Sequence, residues 1–266
     1  MKGKNLAGKD LTGFSFNDMD LSNADFSEAI LNDTKFLRAN LINANFQSAK
    51  LTKADLQRAN LMNADFQNAD LCNACLQCAS LQSANLNNAK LHYASFYEAN
   101  LQEANLQKTD LRFSNLMDAN LQSVNLQGSI IMEVNLKGAN LQYANLMDAN
   151  LYKANLQGAN LQGANLRGAR LVESNFNYAS LQYASLQGAC LNKANFSNSN
   201  LECAEFASSI LDGANLQYAN LKNSNIHVSQ LQKAGYLQGV LVNDNIEEIM
   251  STLYGVNWRD MSWRKQ

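Results

Sequence analysis

A large apolar residue occupies every fifth position of this chain, without a slip, from Leu6 to Leu231. The series Leu6, Leu11, Phe16, Leu21 and Phe26 continues to Leu221, Ile226 and Leu231, 46 consecutive centres in all. Two residues before each centre, from Ala24 onward, stands a small residue or valine, as in Ala119-Asn120-Leu121. A helix needs apolar residues at i, i+3, i+4 and i+7, and a strand needs alternation. A helix would spread a period of five around its whole circumference and leave no stable apolar stripe. A chain that turns a corner every five residues instead sends each centre, and the small residue before it, into one axial core. A fixed short period of this kind marks a solenoid.

The unit resembles the pentapeptide-repeat family, whose A(D/N)LXX pattern is matched by Ala64-Asp65-Phe66, Ala104-Asn105-Leu106 and Ala159-Asn160-Leu161. The resemblance covers residues 6 to about 235. It implies an all-β fold, a right-handed quadrilateral β-helix with about 20 residues per coil, and a bacterial-type protein.

The 20-residue coil can be tested within the sequence. Phe occupies centres 16, 26, 36, 46, 66, 96, 176, 196 and 206, which all fall on two opposite sides of such a coil. Lys50, Asp70, Lys90 and Asp110 then form one outward column of alternating charge, and Glu133, Lys153, Glu173 and Lys193 another. Opposite charges across a strand pair help modestly. Asn100, Asn120, Asn140 and Asn160 share a column and predict an amide ladder. At strand spacing the coils build a rod about 55 Å long. The chain has no proline, as suits backbone N–H groups that must all pair between coils.

Three segments are expected: an N-terminal capping coil over 1–20, the repeat β-helix over 21–235, and a C-terminal helical cap and tail over 236–266. In the first coil the small inward position is held by Lys4, Lys9, Phe14 and Met19. After Tyr236 the repeat dissolves. Asn243 or Asp244 offers a helix N-cap, Ile246, Ile249, Met250 and Leu253 follow at helical spacing, and Gly255 is a stop. This short helix reads as a lid on the last coil. Trp258, Met261 and Trp263 make the tail unusually apolar. In some members of the family the C-terminal end forms a head-to-head dimer, so a homodimer contact here is the second reading of these residues.

The N-terminal residues contain no apolar signal region, and no stretch is long enough to span a membrane. A cytoplasmic location without membrane attachment is expected. Five cysteines, an odd number, argue against a disulfide framework. Cys72 and His92 lie one coil apart in one column, but Cys75 and Cys78 project around a corner, so the set does not converge as a zinc site requires. No metal or cofactor is expected. Catalytic motifs are missing, the two histidines are far apart, and a convex rod with a filled core has no natural pocket. The chain reads as a non-enzyme.

Function is then a matter of surface. The side holding Leu41, Leu61, Leu81 and their successors to Leu181 has one charge, Glu103, and a column of glutamines, so stacking alone accounts for it. The side holding Leu51, Leu71, Leu91, Leu111, Ile131, Leu151 and Leu171 concentrates charge and outward apolar groups: His92, Tyr93, Arg112, Phe113, Ile130, Met132, Tyr152 and Val172. Aromatic residues, Met and Arg are those enriched at interface cores. The alternative is cross-strand pairing that only stabilises the stack.

The sequence thus points to a scaffold that binds an unidentified protein partner through this side. The family resemblance offers a second reading, a DNA mimic that binds and modulates DNA gyrase and protects it from quinolones. DNA carries one charge per ~1.7 Å, whereas this chain has a formal charge of −2. Asp25, Glu28, Asp65, Asp148 and Glu205 are sparse and offset by Lys4, Lys108 and Arg167. A third reading is a structural spacer. Direct nucleic-acid binding is not expected, since no basic stripe with interleaved aromatics is present.

Overall fold

In the computed structural model, residues 2–255, 257 and 258 are described. The chain is a repeat solenoid. Every fifth residue bridges in parallel to the residue 20 positions on, without interruption from Asn5↔Asp25 to Asn200↔Asn220. The pairing consists of these isolated bridges, one per five-residue side, rather than of extended strands. The first coil, including Asn5, Asp10, Ser15 and Asp20, pairs in the same register as the rest.

The five-residue unit follows from where its backbone N–H groups go. The N–H of a centre donates to the next coil, as Leu121 does to the carbonyl of Asn140 at 2.7 Å. The N–H of the residue before it donates to the coil below, as Asn120 does to Ala99 at 2.9 Å. The centre's own carbonyl closes a turn by accepting from the residue three places on, Val124 to Leu121 at 3.1 Å. The third residue of that turn has positive φ, 56° at Ser123, which is the mark of a type II turn. Ser123 N–H also reaches the next coil, donating to the Gln142 carbonyl at 2.8 Å, and the last N–H is taken by a side chain: Gln122 N–H donates to Asn120 Oδ1 at 3.3 Å. This is why Asn or Asp precedes so many centres. Its amide also donates to the coil below and so builds the ladder, with Asn120 Nδ2 donating to Asn100 Oδ1 and Asn140 Nδ2 to Asn120 Oδ1. The Asx turn and the amide ladder are thus served by one residue.

Leu, Phe and Ala from successive coils form one continuous core. Phe46 and Phe66 stack at 4.7 Å, and Phe176 and Phe196 at 4.8 Å. Phe26 and Phe36, from opposite sides, meet edge to face across the axis. Where Ser or Thr replaces Ala, a buried hydroxyl donates either within its own turn, as Ser114 Oγ does to the Leu111 carbonyl at 2.7 Å, or to the coil below, as Thr34 Oγ1 does to the Leu11 carbonyl at 2.9 Å. At the N-terminal end Lys4, Lys9, Phe14 and Met19 are exposed, with the Phe14 ring 5.7 Å from Phe16.

The coil pattern changes after Asn225. Helix α1, Val228–Leu231, replaces one side, opened by a capping box between His227 and Gln230. Gln230 Nε2 donates to the carbonyls of Phe206 and Ser209, supplying donors in place of a further coil. One extra residue shifts the last bridges to Asn215↔Tyr236 and Asn220↔Leu241. Helix α2, Asp244–Tyr254, begins at the N-cap Asn243 and ends at Gly255. Its buried residues, Ile246 and Met250, join the core together with Trp258, whose Nε1 donates to Glu247. Ile249 and Leu253 are exposed. Met261 and Trp263 lie outside the described residues. Among the described residues no helix is long and apolar enough to cross a membrane.

Candidate interaction face

The side carrying Leu91, Leu111, Ile131 and Leu151 presents three neighbouring groups of side chains. The first is built on Asp110, which stands at a bridging position and so projects outward. Arg112, two residues later in the turn, folds back onto it. Its Nε donates to Asp110 Oδ1 at 2.9 Å and its Nη2 to Oδ2 at 2.8 Å. His92, one coil below Arg112, places Nε2 2.8 Å from Asp110 Oδ2 and 2.7 Å from Arg112 Nη2. Its Nδ1 lies 3.6 Å from Cys72 Sγ.

The two contacts at His92 Nε2 belong to opposite tautomers, because a guanidinium only donates and a carboxylate only accepts. With the proton on Nε2, His92 donates to Asp110 and the Cys72 thiol donates to Nδ1. With the proton on Nδ1, Arg112 donates to Nε2 and the sulfur accepts. Burial pushes the Asp110 carboxyl up, but hydrogen bonds from the Arg112 side chain and backbone, with the nearby charges of His92 and Arg112, outweigh it and hold it below the usual range. Burial, seconded by the Asp70 carboxylate, pushes the Cys72 thiol up to about 11. Cys72 is therefore a thiol at neutral pH and a poor nucleophile. Among the described residues no group of three or more His, Cys, Asp and Glu side chains forms a metal site.

The second group is Tyr93 and Phe113, stacked with centroids 5.1 Å apart and planes 11° from parallel, and 59% and 43% exposed. The third centres on half-buried Tyr152. Lys153 Nζ lies 5.1 Å from its ring centroid and Arg170 Cζ 5.8 Å, both within cation–π distance. Lys153 also reaches Glu173 at 3.7 Å. Ile130 is exposed, and Met132 and Val172 are half-buried in the column of Arg112 and Tyr152.

The structure thus brings His92, Arg112, Tyr93 and Phe113 onto one stretch of surface and places Met132, Tyr152 and Val172 above them. Asp110, which organises the first group, stood in the sequence only as one member of a charge column. In that column and the one from Glu133 to Lys193, Lys153–Glu173 is the alternating pair that closes to an ion pair among the described residues. Four exposed tyrosines also escaped the sequence reading: Tyr143, Tyr178, Tyr183 and Tyr218. Each occupies the positive-φ corner of its turn, a position whose outward direction is legible once the turn is known. The rod surface does carry shallow concavities, one of about 390 Å³ lined by Asn192, Lys193, Asp212, Gly213, Gln232, Lys233 and Gly235 and one of about 330 Å³ lined by Gln107, Lys108, Gln127, Gly128 and Asp148.

No curated protein matches the sequence. Among solved structures, HetL, a pentapeptide repeat protein involved in heterocyst differentiation regulation from the cyanobacterium Nostoc, is 33% identical. The match covers 82% of this chain and 89% of that one, with a TM-score of 0.32. A trypsin-treated form of QnrB1, described as a plasmid-mediated fluoroquinolone resistance protein, is 18% identical over 80% of this chain and 96% of that one, at a TM-score of 0.34. A pentapeptide repeat protein of the Arabidopsis thaliana thylakoid lumen is 23% identical over 49% of this chain and 76% of that one, at a TM-score of 0.31. The pentapeptide-repeat family model matches residues 5–38, 39–77, 129–168, 154–192 and 189–227, and the model of a pentapeptide repeat region matches residues 59–136. With its five-residue turns, its 20-residue register and these matches over most of its length, the chain belongs to the pentapeptide-repeat family.

Proposed function

We propose that this chain is a non-enzymatic cytoplasmic scaffold, a right-handed quadrilateral β-helix that binds a protein partner through the side bearing Tyr93, Phe113 and Tyr152. The observation that carries this reading is the exposed Tyr93–Phe113 stack beside the Asp110–Arg112–His92 cluster. A rigid aromatic pair next to a pre-formed charged cluster gives a partner large apolar contact at little entropic cost. The raised Cys72 thiol speaks against thiol chemistry at the same place.

The test is a pull-down at high salt comparing the wild type with a Tyr93→Ala/Phe113→Ala/Tyr152→Ala variant of equal melting temperature. A partner that survives high salt and is lost in the variant supports the reading, and equal recovery by both sinks it. Gyrase supercoiling, assayed with and without a fluoroquinolone, tests the DNA-mimic reading. Inhibition or drug protection with a steep salt dependence would replace the scaffold by the mimic. A homodimer through the C-terminal end is supported by the exposure of Ile249 and Leu253 on α2.

A further inference from the structure

In the regular coils a bridge residue aims both of its backbone polar groups at the coil below. Asp25, for example, donates its N–H to the Lys4 carbonyl at 3.0 Å and accepts at its own carbonyl from Leu6 at 2.7 Å. The first coil has no coil below it. Among the described residues no protein group accepts from the N–H of Asn5, Asp10, Ser15 or Asp20, or donates to their carbonyls, and all four residues are exposed. The N-terminal end of the rod is therefore an open edge, with a free donor and a free acceptor on every side. The other end is closed by α1 and α2, which bury Leu231, Ile246 and Met250.

The direction of these groups selects what can pair with them. A residue that exchanges both backbone bonds with one partner residue forms the hydrogen-bonded pair of an antiparallel ladder. Two rods meeting at their N-terminal ends under a two-fold axis run antiparallel along every side, so each offers the other that arrangement. A head-to-tail contact would need the parallel pattern, and the end that would supply it lies beneath α1 and α2. The matching surface is the same end of a second copy. With Asp10 and Asp20 set against Ser15 and Asn5 of the mate, no carboxylate stands opposite another. One 20-residue coil from each copy also falls within the ~20–30 residues a side of a standard interface.

The floor of this end is partly apolar. Leu6 and Leu11 are partly buried against the core. Phe14 and Met19 are 57% and 39% exposed, at inward positions where the next coil has Thr34 and Ala39. The other two such positions carry Lys4 and Lys9, below Ala24 and Ala29. Both lysines are exposed, and neither reaches a carboxylate within ion-pair distance among the described residues. Joining two ends would bring the lysines of both copies between two apolar cores, where an unpaired charge is costly. Charged side chains, lysine above all, are what natural sheets place on edges that must stay unpaired.

We propose that the N-terminal end is a self-association surface, matched to the same end of a second copy and held unpaired by the charges of Lys4 and Lys9. Sedimentation velocity of the full chain tests it, in a background carrying Ile249→Asp/Leu253→Asp so that a C-terminal contact through α2 takes no part. With both lysines present this background should sediment as one copy. Lys4→Met/Lys9→Met, which keeps the length of the stems and removes the charges, should form a dimer, with Kd lowered at least about a hundredfold. Lys4→Ala/Lys9→Ala should do the same, and Lys4→Arg/Lys9→Arg should stay single. Adding Phe14→Glu to the Met pair should return it to one copy, which fixes the contact at this end. Circular dichroism reports the fold of each variant independently of its mass. Folded Met and Ala variants that remain single, a lysine-bearing background that already dimerises and is split by Phe14→Glu, association that ignores Phe14→Glu, or growth beyond two copies would each overturn the proposal.

Discussion

Tyr93 lies flat on Phe113, one coil away, with the planes 11° from parallel although both rings are largely open to solvent. Cross-strand aromatic pairs contribute roughly 0.5–1.5 kcal/mol beyond area burial. A double-mutant cycle of Tyr93→Ala and Phe113→Ala by urea denaturation should therefore return a coupling within that range. A coupling near zero would mean that the stack is not held in solution.

Leu121 is fully buried and Gln122 lies on the outside of the same turn. Leu121→Ala should cost roughly 2–5 kcal/mol through the cavity it leaves, whereas Gln122→Ala should cost under about 0.5 kcal/mol, as surface substitutions do. Equal small losses would contradict the inward direction of the centres.

Gly158 and Gly163 share φ near +66°, but a Cβ at Gly158 meets nothing while one at Gly163 runs into the Tyr143 ring. Alanine should destabilise both, since an L side chain is strained at positive φ. The loss at Gly163 should be the greater, and Tyr143→Ala should bring the two values together. Melting temperatures of the four variants measure this directly.

The Cys72 thiol, raised to about 11, should react with iodoacetamide at pH 8 roughly two hundredfold more slowly than an ordinary thiol, in proportion to its thiolate fraction. The rate should climb until pH passes that value, and Asp70→Asn should accelerate it. In stability terms the raised group favours the fold below the unfolded thiol's ~8.5, and that contribution is lost as pH rises toward 11. Mass-spectrometric labelling at a series of pH values gives the rate.

Asp110 has the opposite sign. Its carboxyl is held low in the fold, so its contribution is complete above the unfolded value of ~4 and disappears as pH falls through the folded one. Asp110→Asn should flatten the acid limb of a melting-temperature profile while leaving the region above pH 6 parallel to wild type. An unchanged acid limb would mean that the Arg112 bonds are not kept.

Much of this molecule was legible in its sequence because one backbone solution is repeated. The run of centres, the small residues before them and the phenylalanines on two opposite sides fix the coil, and the bridges follow at that spacing. The Asn before the centre was read only as a ladder. Its closer task, accepting the N–H two residues on, belongs to the turn and is invisible to a count of columns. The end of the solenoid was also obscured. Ile226 and Leu231 keep the five-residue spacing and stay buried, yet the chain reaches Leu231 through α1, because burial fixes an apolar position and not the path that reaches it. On the side bearing Tyr93 and Phe113, proximity of Cys72, His92 and Arg112 followed from the register, whereas Asp110 as their common neighbour depended on a side chain folding back within its own turn.

The register that pairs each bridge residue with the one 20 places away makes the rod behave as an indexed shaft. Removing one whole coil, Asn100 to Ala119 for instance, would lower everything beyond it by a single strand spacing, ~4.8 Å, and leave every surface residue at its original azimuth. Removing one pentapeptide would instead turn all that follows by a quarter revolution, carrying Tyr152 and Val172 out of line with Tyr93 and Phe113. Length and orientation are thus set by two different integers in one sequence: a change of twenty residues moves a surface along the rod, and a change of five turns it to the next side.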